Sequence, residues 1–257
     1  MIKLIVKKAL RLSTAMLVGG MMALTNAGPA AGAEEFTDAQ RNEIVQIFQE
    51  FFLENPEIIR EALIALEQKN EEKRAAEIRD IIVSQKKIIE NPKGLFVAGN
   101  PDGDVTLIEF FDYNDPNSKQ SLPDILYLLE NDPNLRVVLY ETPMHAQSSL
   151  TAAHATLAAG KQEKYLTLHS ALLSYNGGLL DEKIILDIAK KAGLDIDQLK
   201  KDMGSIEIEQ IIENSSNIAE ILGVQGTPAF IIGDNLYRGA MGLENIRAKI
   251  NEIRINR

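Results

Sequence analysis

The chain of 257 residues contains no cysteine and no tryptophan. Without cysteine there can be no disulfide, no thiolate nucleophile and no thiolate metal ligand. Histidine is nearly as scarce, with three residues in the whole chain, and aromatic side chains make up only 5% of it. Basic residues are outnumbered, 27 Lys and Arg against 37 Asp and Glu, for a net charge of −10. A chain so acidic repels phosphate, which argues against nucleic acid and anionic membrane surfaces as partners.

The rest of the composition is that of a folded protein: 45% hydrophobic and 25% charged. The length suits one substantial core with a smaller appendage. Residues 1–33 read as a secretory signal. Lys3, Lys7, Lys8 and Arg11 form a basic start, an apolar stretch runs from Leu12 to Leu24, and Ala31-Gly32-Ala33 offers a small-residue cleavage site before Glu34. The apolar stretch falls short of the ~20 residues a membrane-spanning helix needs, and Gly19 and Gly20 interrupt it. Cleavage after Ala33 removes four positive charges and no negative one, leaving a net charge of −14 on 224 residues. Export of this kind places the mature chain in the periplasm.

Residues 34–93 read as an all-helical arm. Thr37 with Gln40 forms a capping box, and Ile44, Ile47, Phe48 and Phe51 follow the helical period. Asn55-Pro56 supplies the cap and first-turn proline of a second helix carrying Ile59, Ala62, Leu63 and Leu66. After the charged run Glu67 to Arg74, a third helix is expected around Ile78, Ile81, Ile82 and Ile89. Such narrow apolar stripes cannot stabilise an isolated bundle, so they need a partner. Phe48, Phe51 and Phe52 point to self-association through the arm, giving a homo-oligomer.

The period changes after Asn91-Pro92-Lys93-Gly94. Leu95 to Ala98, Val105 to Phe111 and Arg136 to Tyr140 are apolar runs of strand character, and a helix from Pro116 to Glu130 separates the last two. Residues 148–222 read as a run of helices, stopped at Gly160, Gly177-Gly178 and Gly193. Strand signals return at Ala229 to Ile232 and around Leu236-Tyr237, and a last helix covers Leu243 to Arg254. The expected fold class is α/β: residues 94–257 form one domain with a block of helices inserted into it, preceded by the helical arm.

The stretch Phe110-Phe111-Asp112-Tyr113-Asn114-Asp115-Pro116-Asn117-Ser118-Lys119 lies where a strand gives way to a helix. It resembles the signature F-F-D-Y-N-C-x-x-C-K of the DsbA family of thiol-disulfide oxidoreductases, with Asp115 and Ser118 at the two cysteine positions. Asp132-Pro133 before the Arg136-Val137-Val138 strand, Gly193-Leu194-Asp195 and Gly226-Thr227-Pro228-Ala229-Phe230 extend the resemblance over residues 94–254. It implies a thioredoxin fold with a helical insertion. The arm, through Leu53-Glu54-Asn55-Pro56-Glu57, is similar to the N-terminal domain of the suppressor-of-copper-sensitivity C proteins, DsbA relatives whose arm drives oligomerisation.

In that family the chemistry rests on a thiolate at a helix N-terminus and passes through a mixed disulfide. Here positions 115 to 118 read Asp-Pro-Asn-Ser, a degenerate motif with no sulfur, so no catalytic residue is assigned. Asp115 suits an N-cap and Pro116 the first helical position. The resemblance implies a cis bond before Pro228, a peptide-binding role for Thr227 and Pro228, and a buried acid at Glu109, beneath the site. A serine nucleophile at Ser118 requires a base and an orienting group that the sequence does not provide. Asp115 and His145 supply only two of the three or four ligands of a zinc site, and His154 and His169 read as helix-packing residues. Lys119 and Lys161 to Lys164 read as solvated surface. No cofactor or metal is expected.

The expected function is that of a non-catalytic pseudo-oxidoreductase binding extended or unfolded exported polypeptides, in a chaperone- or assembly-like role. Two alternatives stand beside it. One is a glutathione-dependent enzyme resembling kappa-class transferases, whose serine matches the position of Asp115 rather than Ser118. The other is a structural oligomer of the envelope.

Overall fold

The computed structural model describes residues 36–256. The expected signal, residues 1–33, lies outside the described residues. Contacts divide the chain into two compact units between Ala62 and Leu63.

In the first unit, helix α1 (Asp38–Glu54) starts at the capping box, with Thr37 and Gln40 each accepting a hydrogen bond from the other's backbone amide. It has no buried residue. Helix α2 runs from Pro56 to Glu90 as one helix of 35 residues, which corrects the expectation of two helices separated by the charged run. Residues 67–74 lack apolar periodicity but are rich in strong helix formers, and neither glycine nor proline interrupts them. An i,i+4 pair, Lys73–Glu77 at 3.7 Å, follows directly.

In the second unit, strands β1 (Phe96–Gly99), β2 (Val105–Phe111), β3 (Leu135–Glu141), β4 (Ala229–Ile232) and β5 (Asn235–Arg238) form one sheet in the order β1-β3-β2-β4-β5. Only the β2–β3 pair is parallel. A parallel pair needs a crossover, and α3 (Pro116–Asn131) provides it. Every residue of β3 is buried, as expected for an inner strand covered on both faces. Helices α4 (Gln147–Gly160), α5 (Tyr165–Leu173), α6 (Glu182–Lys191), α7 (Ile196–Met203) and α8 (Ile206–Ile221) lie between β3 and β4 in the chain, and α9 (Leu243–Ile255) follows β5. Arg254 on α9 donates to both Asp104 and Asp132, tying the last helix to the loop before β2 and to the C-cap of α3.

The end of α2 belongs to this core. Ile82 and Ile89 are buried in it, and side chains of β3 satisfy the helix's terminal carbonyls: Tyr140 Oη donates to Ile89 O at 2.8 Å and Arg136 Nη1 to Glu90 O at 2.7 Å.

Candidate functional site

The sheet order puts β2 at the centre, so its C-terminal end delivers residues 112–115 to the middle of one sheet edge, where α3 begins. Asp115 is the N-cap of α3. Its carboxylate accepts hydrogen bonds from the amides of Asn117 and Ser118, both at 3.1 Å, and Pro116 occupies the first turn. Oδ2 of Asp115 also accepts from the Ser118 hydroxyl and from the Thr227 hydroxyl, each at 2.9 Å. Asp115 is 1% exposed and Ser118 is fully buried. The Ser118 hydroxyl in turn accepts from the Asp112 amide at 3.3 Å. The Ser118 hydroxyl thus donates to one neighbour and accepts from another, out of contact with solvent.

The peptide bond between Thr227 and Pro228 is cis, and both residues are buried. The Pro228 carbonyl accepts from the Gly239 amide at 2.8 Å. Among the described residues, neither the amide nor the carbonyl of Thr227 takes part in a backbone hydrogen bond. The structure therefore brings Asp115, Pro116, Asn117, Ser118 and Thr227 together at one place, with Pro228 next in the chain.

His145 arrives from the loop after β3. Its Nε2 stands 3.9 Å from Asp115 Oδ1, with its side chain 46% exposed. The two potential metal ligands weighed from the sequence are thus adjacent, while among the described residues no group of three His, Asp or Glu gathers around a common point. His154 is linked through Nε2 to Glu209 at 2.8 Å.

Glu109 is buried at 2% exposure on β2, opposite Phe230 of β4. Oε1 of its carboxyl has no hydrogen-bond partner among the described residues. Burial pushes its pKa up to about 8. Lys119, read from sequence as solvated, instead donates to Tyr175 O at 2.9 Å and sits 5.7 Å from the centre of that ring.

Two further features escaped the sequence reading. Asp112 is buried and its carboxylate accepts four hydrogen bonds: from the Asn114 amide and the Ser149 hydroxyl on Oδ1, and from the Met144 and His145 amides on Oδ2, all at 2.7 to 2.8 Å. Asn114 completes the join, donating to Ser148 and Ser149 and accepting from the Leu180 amide. Asp112 and Asn114 thus attach the strand end to the helical insertion. The second feature is a buried polar cluster in which Glu141 Oε1 accepts from Tyr113 Oη at 3.0 Å and Tyr165 Oη at 2.7 Å, while Tyr113 Oη also bonds His169 Nδ1 at 3.1 Å. Burial pushes Glu141 up to about 8, against the two tyrosine donors that lower it, and pushes His169 down to about 3. The one hint in the sequence is an acid directly after the apolar run Val137 to Tyr140.

A central sheet with this strand order, a helix beginning at the end of β2, a cis-proline loop beside that helix and helices inserted between β3 and β4 define a thioredoxin fold with a helical insertion. The chain belongs to the family of the DSBA-like thioredoxin domain, whose model matches residues 106–251. It is similar to a thioredoxin-like oxidoreductase from Silicibacter pomeroyi DSS-3, with 38% identity, 65% of this chain and 96% of that one covered, and a TM-score of 0.63. A linker-deletion variant of Proteus mirabilis ScsC shares 25% identity and covers 88% of this chain and 100% of its own, with a TM-score of 0.64. Among curated proteins, Na(+)/H(+) antiporter NhaA 1 of Salinispora arenicola is 27% identical over 161 residues, 60% of this chain. The match spans only 24% of that relative's length. This chain has no cysteine at all.

Proposed function

We propose that the mature chain is a non-catalytic member of the family that holds extended polypeptide segments against the loop before Pro228. The observation that carries this reading is the placement of Asp115. Its carboxylate seals the former chemical position with hydrogen bonds from Asn117, Ser118 and Thr227, while the backbone of Thr227 stays without a backbone partner. A backbone donor and acceptor side by side suit pairing with an extended chain, in which main-chain bonds give affinity without demanding one sequence.

Self-association through the arm is part of the same proposal. Phe48 and Phe52 stack with ring centres 6.2 Å apart and are 55% and 39% exposed, so one unit leaves aromatic surface uncovered. Several linked grooves raise avidity for a long unfolded client without any new contact. Residues 1–33 support a periplasmic location, and among the described residues no helix is long and apolar enough to cross a membrane.

The test compares the mature chain with its Gly226→Trp variant. A Cβ at Gly226 meets no atom within 4 Å and the residue's φ is not in the left-handed region, so a side chain can start there, beside Thr227, without backbone strain. The wild type is expected to delay aggregation of a denatured, cysteine-free protein in light scattering, and the variant to lose most of that effect with an unchanged circular dichroism spectrum. Turnover in insulin reduction or in glutathione conjugation by the wild type, or equal protection by both forms, would overturn the proposal.

A further inference from the structure

On the side of Asp115 marked by His145, the surface opens into a cleft of about 540 Å³ between the loop after β3 and helix α8. Its apolar lining includes Leu150, the buried Ile212 and Met144, which is 48% exposed. An unbranched thioether in that position can repack around different side chains. Glu209 and Glu213 also line the cleft, and no Lys or Arg does. Glu209 keeps a largely exposed side chain although its Oε2 meets His154. A carboxylate has acceptor sites beyond the one used there. A nearby cation, Lys161, is engaged by Glu207 at 2.8 Å.

We infer that this cleft continues the client-binding face and selects extended segments that carry Lys or Arg among apolar residues. The inference rests on the proposed binding function and names the chemistry of the client. Two observations carry it. The cleft is continuous with the site, because His145 lines it and also stands 3.9 Å from Asp115, which in turn holds Thr227. Its charge is of one sign, on a chain whose net charge is −10. An acidic segment entering there meets like charge, whereas a cationic one meets acceptors over an apolar floor that covers the stem of Lys or Arg.

The test uses three labelled 12-residue peptides of equal apolar content, bearing Lys, Gln or Glu at alternate positions, and measures affinity by fluorescence anisotropy. Partly exposed ion pairs are individually weak, so the Lys peptide is expected to bind about tenfold tighter than the Glu peptide at low salt, with the difference shrinking at high salt. In the Glu209→Gln, Glu213→Gln double variant the preference is expected to fall to about twofold or less. In Gly226→Trp all three peptides are expected to weaken together. Equal affinity for the three peptides in the wild type overturns the charge selection and leaves peptide binding standing. A Lys preference that persists in the double variant overturns the assignment to this cleft, and no binding of any peptide removes both the inference and the function it rests on.

Discussion

The Thr227 hydroxyl donates to Oδ2 of Asp115 at 2.9 Å, so a single carboxylate joins the loop before the cis-proline to the first turn of α3. In relatives with two cysteines the corresponding atom is a sulfur that must be free to react. Here a carboxylate takes that place, and its hydrogen bonds run to three residues of two elements, Asn117, Ser118 and Thr227.

The first prediction concerns stability. Asp115→Ala removes an N-cap worth about 1 kcal/mol and strips the acceptor from two buried hydroxyls, Ser118 and Thr227, each at a cost of about 1–3 kcal/mol. A loss on the order of 3 kcal/mol in urea unfolding is expected, with Asp115→Asn losing less because it keeps an acceptor oxygen. A change within about 0.5 kcal/mol for the alanine variant would mean that Asp115 is not the joint described.

The second concerns chemistry. Asp115→Cys with Ser118→Cys places a thiol at the N-terminus of a 16-residue helix, where the dipole and free amides favour thiolate. The scaffold around it, Asp112 and Asn114 with their partners in the insertion, is untouched. Insulin reduction is expected to appear in the double variant and to stay absent when Asp115→Cys is made alone, since a lone thiol forms a mixed disulfide that no second thiol resolves. A folded double variant without activity would show that the surroundings no longer support exchange.

How much of this was legible in the sequence depended on the range of the interactions. Strands β2 and β4 fall at the expected residues and helix α3 begins at the expected Pro116, because apolar runs and caps are local signals. The cap by Asp115 was legible for the same reason. Asp112 stands in plain view within the motif, yet its partners Met144, His145 and Ser149 lie more than 30 residues away, and no spacing rule connects them. The Glu141 cluster draws on Tyr113 from the loop after β2 and on Tyr165 and His169 from α5, and was invisible because these segments lie far apart in the chain. The continuity of α2 through residues 67–74 rests on helix propensity alone, because no apolar period runs through them.

The third prediction follows from burial. Glu109 and Glu141 are both pushed up to about 8, so each keeps its proton in the fold and releases it on unfolding at any pH between about 4.5 and 8. Stability contributed by these groups therefore falls as pH rises through that window. His169 acts in the opposite sense, since between about 6.5 and 3 the unfolded chain takes a proton that the fold refuses, and stability falls as pH drops. The three groups together favour mildly acid pH, near the ordinary carboxyl value, with steady loss toward pH 8. Thermal unfolding from pH 5 to 8.5 is expected to show that slope, and Glu109→Gln and Glu141→Gln each to flatten it by on the order of a few kcal/mol across the range. Curves that stay parallel to the wild type would mean that these carboxyls do not hold protons in the fold.

The fourth prediction separates the arm from the core. Truncation must respect where the buried residues are: removing residues 34–90 takes away Ile82 and Ile89, each 1% exposed, together with the carbonyls that Tyr140 and Arg136 engage. Losing a buried isoleucine down to Cβ alone costs about 2–5 kcal/mol, and losing two with their backbone is expected to unfold the domain. Removing residues 34–62 leaves these anchors in place, so that chain is expected to fold. Light scattering is expected to report a multiple of the chain mass for the mature protein and a single mass for the 34–62 deletion. Phe48→Glu with Phe52→Glu is expected to give the same drop with the full arm present, because it puts charge on the exposed ring pair and leaves the caps of α1, Thr37 and Asn55, in place. A mature protein that is already a single chain, or a deletion variant of unchanged mass, would remove the arm from any role in assembly.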